Sequence, residues 1–237
     1  MTKETTPLID TVLFDLDGTL VDSMPELAYC ANQCLAEMGR PILPFETLST
    51  FVGKGLERLI IRFLANDINA KTVAPDLLQE AKEVFSRHYH ANNGLFSELY
   101  PTVTEALEQL KTERYKLAIV TNKAIEFTLP LLDKKGISHY FDAVIGGDSC
   151  EHKKPHPAPV LLALEKLRST ADTAVLIGDS LNDAQAANAA GLPCLIVPYG
   201  YNEGQTINQP EPGALVDDMH MAINWIHAEN TKRKNNN

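Results

Sequence analysis

Five short apolar runs constrain this chain more than any other feature: Thr11–Asp15, Lys116–Thr121, Asp142–Gly146, Thr173–Asp179 and Pro193–Pro198. They are rich in valine, isoleucine and leucine with little polar alternation, the pattern of strands covered on both faces. A weaker run, Ala214–Asp217, is a candidate sixth strand. Helical patterns separate most of them. Thr102 with Glu105 reads as a capping box opening a helix through Leu107 and Leu110. Pro159–Arg168 has helical spacing, and the alanine-rich stretch Leu181–Ala190 stops at Gly191. Strand alternating with helix predicts an α/β fold built on a doubly wound, Rossmann-like parallel sheet.

The alternation breaks between Val21 and about Phe96, where the sequence reads as helices without a convincing strand. Ser23 with Glu26 reads as a capping box. The helix after it puts Leu27, Cys30, Ala31, Cys34 and Met38 on one face and ends at Gly39. A second helix carries Leu56, Leu59, Ile60 and Phe63, and a third Leu78, Ala81, Phe85 and Tyr89. The division expected is a catalytic core of residues 1–20 and 97–237 with an all-helical cap of residues 21–96. An insertion directly after the first strand borders the ligand crevice, so the cap is a candidate lid. The polar tail Thr231–Asn237 is expected to fray.

Lysine and arginine total 21 against 31 aspartates and glutamates, a net charge of −10. That field repels nucleic acid and anionic membrane, so neither is expected as a partner. Met1–Thr6 lacks the apolar core of a signal peptide, and no apolar run approaches the roughly 18 residues of a membrane span. The four cysteines are scattered: Cys30, Cys34, Cys150 and Cys194. They read as reduced thiols in a cytoplasmic protein, monomeric or homodimeric. Cys30 and Cys34 share a helix face, where core packing outweighs a two-ligand metal clip.

The chemistry is marked by where the polar residues fall. Asp15, Thr121 and Asp179 each close an apolar run at its C-terminal end, the end at which open α/β sheets bind ligands. In Asp15-Leu16-Asp17-Gly18-Thr19, two carboxylates stand two residues apart, and a cation or shared proton is needed between them. The start also resembles a calcium loop, but no acidic or amide side chain stands at position five. In Gly178-Asp179-Ser180-Leu181-Asn182-Asp183, Asp179 and Asp183 lie four apart and can face one side of a helix; the plainer reading is capping by Asp179 or Ser180. Lys154, fixed by Pro155, can aim an ammonium group at this acidic pocket, or can belong to a solvated basic loop. The Thr121 hydroxyl and the backbone N–H groups of Thr121-Asn122 suit phosphate oxygens. An oxygen-rich donor set without histidine or thiolate favours Mg2+ over zinc.

These four segments, in order, resemble the four motifs of the haloacid dehalogenase superfamily, and the insertion is similar to its small helical cap. Thr121-Asn122-Lys123, Lys154-Pro155-His156-Pro157 and Tyr199-Gly200-Tyr201-Asn202 look most like the phosphoglycolate phosphatases of that superfamily. The resemblance implies a phosphatase acting on a small phosphorylated metabolite. In it Asp15 is nucleophile and Mg2+ ligand. Asp17 is general acid/base and binds metal through its backbone carbonyl. Asp179 is a further ligand, Asp183 a ligand or its neighbour, and Thr121 and Lys154 hold the phosphate.

Asp17 argues against the dehalogenase and phosphonate-cleaving branches, which lack an acidic residue there. A phosphosugar mutase or pyrophosphatase shares the core motifs, and a catalytically silent binding protein would show a decayed one. Gly53-Lys54-Gly55 forms a turn at the lid edge, where Lys54 can meet a substrate carboxylate or stay solvated. His88 and His90 share no helix face, and His152 and His156 flank the lysine loop; all four are expected in solvent. Tyr199 and Tyr201 are expected to pack their own loop.

Overall fold

The strand β1 (Thr11–Phe14) ends one residue before Asp15. A computed structural model describes residues 6–202 and 210–236. After β1 come β2 (Val21–Asp22), α1 (Met24–Glu37), α2 (Phe45–Ser49), α3 (Leu56–Ala65), α4 (Pro75–Asn92) and β3 (Glu98–Leu99). The chain then alternates through α5 (Val103–Thr112), β4 (Lys116–Val120), α6 (Ile125–Lys134), β5 (Ala143–Ile145), α7 (Ala158–Leu167), β6 (Ala174–Gly178), α8 (Leu181–Ala190), β7 (Cys194–Ile196), β8 (Gly213–Leu215) and α9 (Met219–Asn236).

The main sheet has six strands in the order β5-β4-β1-β6-β7-β8, each parallel to its neighbours. Alternation along the strands fills two separate cores. Val12, Phe14, Leu117, Ile119, Val175 and Ile177 face one side, against α5, α6 and α9. Leu13, Ala118, Val120, Leu176 and Ile196 face the other, against α7 and α8. Both faces are thus dry, which explains the continuous apolar runs. β1 lies between β4 and β6, and strand order reverses there. This is the switch point at which α/β sheets open a crevice.

Helices α1, α3 and α4 share a third apolar cluster that includes Leu27, Leu35, Ile60, Phe63, Phe85 and Tyr89. Phe127 of α6 is buried in the same cluster, so these helices sit directly over the carboxyl end of β4. Cys30 and Cys34 lie inside it as free thiols, and burial pushes them up to about 12 and about 11. Both pack within this apolar cluster.

Several local expectations are corrected. The insertion is not purely helical at its base: β2 pairs with β3 in an antiparallel ribbon, Val21 opposite Leu99 and Asp22 opposite Glu98. Ser23 forms no capping bond; its hydroxyl donates instead to Asp17 Oδ1 at 2.6 Å. A charged acceptor outcompetes a backbone amide. Thr102 precedes α5 with φ 70°, a left-handed backbone that turns its hydroxyl away from the helix, and its Oγ1 is buried without a partner. The tail does not fray within the described residues. α9 runs to Asn236, and Arg233 donates to Pro7 O at 2.8 Å and Asp172 O at 2.6 Å. Met1–Thr5 and Asn237 lie outside the described residues. Among the described residues no helix is long and apolar enough to cross a membrane.

Candidate active site

Asp15, Thr121 and Asp179 directly follow the adjacent strands β1, β4 and β6, so the sheet itself brings them together. Asp15, Asp179 and Asp183 each offer a carboxylate oxygen, all within 4.8 Å of one another. Asp15 Oδ1 accepts the Leu16 N–H at 2.7 Å and lies 2.9 Å from Lys154 Nζ. Burial pushes the Asp15 carboxyl up to about 6; the Lys154 ammonium pulls it back, and the Asp183 charge adds to the rise. Asp179 accepts Thr19 Oγ1–H at 2.8 Å and the Tyr201 N–H at 2.5 Å. Burial, then the charges of Asp15 and Asp183, raise it well above the ordinary carboxylate range.

The bend that closes this cluster depends on Gly18. Its φ is +86°, and a Cβ there would stand 2.3 Å from Asp179 Oδ2. Only glycine admits both the left-handed backbone and the carboxylate.

Asp183 sits behind the others, fully buried in the first turn of α8. Its Oδ2 accepts from Ser180 N at 3.1 Å and Ser180 Oγ at 2.6 Å, and its Oδ1 from Lys154 Nζ at 2.6 Å. Capping and site-building therefore coincide: the same carboxylate closes the helix and anchors the lysine. Lys154 stays charged because its two carboxylate partners outweigh the burial that would lower it. The loop around it is exposed at Lys153, Pro155 and His156, but Lys154 itself turns inward and is 3% exposed. Asn122 holds this loop through Lys154 N–H to Oδ1 at 2.9 Å and Nδ2–H to Lys154 O at 3.0 Å. The Asn122 side chain also reaches Gly53 O at 3.1 Å, so it ties the cap turn to the core. Of the backbone donors expected for phosphate, the Thr121 N–H is engaged by Ile145 O.

Asp17 stands outside the acidic cluster. Its Oδ1 accepts from Ser23 Oγ and from Lys123 Nζ at 2.9 Å, and its Oδ2 lies 3.1 Å from the same ammonium. Lys123 also donates to the Tyr89 hydroxyl of α4. A cavity of about 60 Å³ lies over this arrangement, walled by Asp15, Asp17, Thr121, Lys123, Asp179 and Ser180 on the core side. Leu27, Val52, Leu56, Leu59 and Tyr89 close it from the helical insertion.

Lys54 is exposed and its side chain does not line this cavity, whereas Gly53 and Gly55 on either side of it do. Tyr201 does more than pack its loop. It lines the cavity, and its hydroxyl bonds Asp22 and accepts the Met24 N–H at 2.9 Å. His88 and His90 pair with Glu37 and Glu126 on the surface, and exposed His152 and His156 pack against each other with their rings tilted by 42°. Sequence reasoning gave Lys123, Tyr89 and Ser23 no role in the site; the signal available was Lys123 as the third residue of Thr121-Asn122-Lys123.

Three carboxylates against one ammonium leave an excess of negative charge among oxygen donors. This donor set fits a hard divalent cation.

Residues 12–197 match the haloacid dehalogenase-like hydrolase family. A phosphoglycolate phosphatase of Nitrosospira multiformis is 44% identical over 218 residues, covering 92% of this chain and 96% of that protein. One from Nitrosococcus oceani is 40% identical over 210 residues, covering 89% and 93%. The crystal structure of a predicted phosphoglycolate phosphatase from Haemophilus somnus superposes with a TM-score of 0.85 at 34% identity, covering 92% of this chain and 97% of that one. With a family match over most of its length and relatives of this similarity, the chain belongs to the haloacid dehalogenase-like hydrolases.

Proposed function

We propose that this chain is a Mg2+-dependent phosphatase that hydrolyses 2-phosphoglycolate to glycolate and phosphate through an aspartyl phosphate at Asp15. The observation that carries this reading is the separation of two neighbouring carboxylates into different environments. Asp15 belongs to the acidic cluster with Asp179, Asp183 and Lys154, while Asp17 is held apart by Ser23 and Lys123. In this reading the first attacks and the second moves a proton. Curated relatives at 40–44% identity are named phosphoglycolate phosphatase, which supports the substrate.

Asp15, Asp179, Asp183 and the Asp17 backbone carbonyl would hold the metal. Bound there, it neutralises charge between a phosphate dianion and a carboxylate nucleophile. Lys154 does the same from the protein side, and the Thr121 hydroxyl binds a phosphate oxygen. Asp15 attacks phosphorus as the ester bond breaks, and Asp17 gives its proton to the leaving alkoxide. Asp17 then takes a proton from water, which attacks the acyl phosphate and frees Asp15.

In this reading residues 21–96 act as a cap that excludes water, and the free thiols suit a reducing cytoplasm. The test is phosphate release from 2-phosphoglycolate with Mg2+ and with chelator. Release that requires Mg2+ supports the reading; full activity of verified metal-free protein overturns it.

A further inference from the structure

Lys123 is the lysine on the cavity wall, and the phosphate chemistry above does not use it. Its side chain is 5% exposed, against 1% for Lys154, so both ammonium groups are buried at one site. They serve different ends of it. Lys154 lies against Asp15, where phosphorus must be, whereas Lys123 lies against Asp17, where the leaving oxygen must be.

The leaving oxygen has to come within hydrogen-bond reach of Asp17, roughly 3 Å, to receive its proton. Lys123 Nζ is 2.9 Å from Asp17 Oδ1. In a 2-phosphocarboxylate the carboxylate carbon is bonded to the ester carbon, two bonds from the leaving oxygen, so the carboxylate comes within reach of this ammonium. The wall beyond is Leu27, Val52, Leu56 and Leu59, all apolar. A carboxylate placed there without a cation is strongly disfavoured. Tyr89, fully buried in α4, accepts from Nζ and fixes where the ammonium points. Lys54, the cation the sequence offered for this task, is exposed and off the wall.

We propose that Lys123 determines the substrate specificity of this site: its ammonium receives the carboxylate of a 2-phosphocarboxylate, oriented by the Tyr89 hydroxyl from the helical insertion. The proposal rests on the phosphatase reading. It goes beyond that reading by naming the residue that distinguishes an acidic tail from a neutral one.

The experiment compares kcat/KM for 2-phosphoglycolate and ethyl phosphate in wild type, Lys123→Met and Lys54→Ala, with Mg2+ present. Wild type is expected to prefer 2-phosphoglycolate, and Lys123→Met to shrink that preference roughly 30-fold or more, the effect of removing one partner of a buried charged pair. An equal loss on both esters, which a merely structural role would give, overturns the proposal. So does a preference that collapses in Lys54→Ala and survives in Lys123→Met. If Lys123→Met does not fold, Tyr89→Phe carries the comparison, with 2-phosphoglycolate set against its uncharged amide. A reduced preference supports the proposal and an unchanged one overturns it. Wild type that cleaves neither ester overturns the phosphatase reading itself, a result separable from a lost or retained preference.

Discussion

Lys154 Nζ lies 2.6 Å from Asp183 Oδ1, and neither side chain is more than 1% exposed. The same ammonium reaches Asp15 at 2.9 Å, so one buried cation spans the front and the back of the acidic cluster. Replacing it leaves two buried carboxylates without their counter-charge. In chelator, Lys154→Met is expected to cost about 3–5 kcal/mol of stability. With Mg2+ present part of this should return, while turnover is expected to stay down by about 10²–10³, the cost of losing a charge proposed to face the phosphate. Urea unfolding with and without Mg2+ checks the first, and steady-state kinetics the second.

Asp17 is expected to be separable from the metal site. Asp17→Asn retains the backbone carbonyl and nearly the same shape, so metal binding persists while turnover falls by about 10²–10⁴. Isothermal titration with Mg2+ alongside kcat measures both. Loss of metal affinity equal to the loss of turnover would remove Asp17 from proton transfer.

The buried carboxyls set the sign of the pH dependence. Asp15 titrates at about 6 in the fold, raised chiefly by burial, against an ordinary value of 3.8. Asp179 is raised as well, again chiefly by burial. Between about pH 4 and 6 the folded metal-free protein keeps a proton that the unfolded chain has released. Stability from this source therefore falls as pH rises through that window and stays low above it. A divalent cation held by these groups would need them ionised, so Mg2+ is expected to raise Tm more at pH 7 than at pH 5. Equal Mg2+ shifts at the two pH values would contradict this.

The placement of Asp15, Thr121 and Asp179 was legible because each interrupts an apolar run at the same end of adjacent parallel strands. Asp183 followed from its four-residue spacing after Asp179, and Lys154 from the need to balance charge there. Lys123 was not legible as part of the site. Its burial is imposed by Tyr89 of α4, 34 residues away in sequence, and a lone lysine after a strand carries no periodic signal. Ser23 misled for a related reason: its local pattern fits a cap, yet the nearby Asp17 carboxylate is the stronger acceptor. The helical end of α9 was hidden too, because residues that look like a polar tail are fastened by Arg233 to Pro7 and Asp172, on other parts of the chain.

Tyr201 joins the acidic cluster to the base of the insertion, its N–H on Asp179 and its hydroxyl on Asp22 and Met24. Tyr201→Phe keeps the first contact and removes the second pair. A stability loss of about 1 kcal/mol is expected. KM for 2-phosphoglycolate should rise with kcat little changed, since the Asp179 contact survives. A fall in kcat without a change in KM would place Tyr201 in the chemical step instead.

Asp15 is expected to carry the phosphoryl group covalently during turnover. Enzyme mixed with 2-phosphoglycolate and Mg2+, quenched rapidly and treated with borohydride, reports this directly, because reduction of an acyl phosphate converts the aspartate to homoserine. Homoserine is expected in place of Asp15, detected by peptide mass spectrometry and absent without substrate. Unmodified Asp15 at every quench time, with phosphate still released, would contradict it and point to direct attack by water.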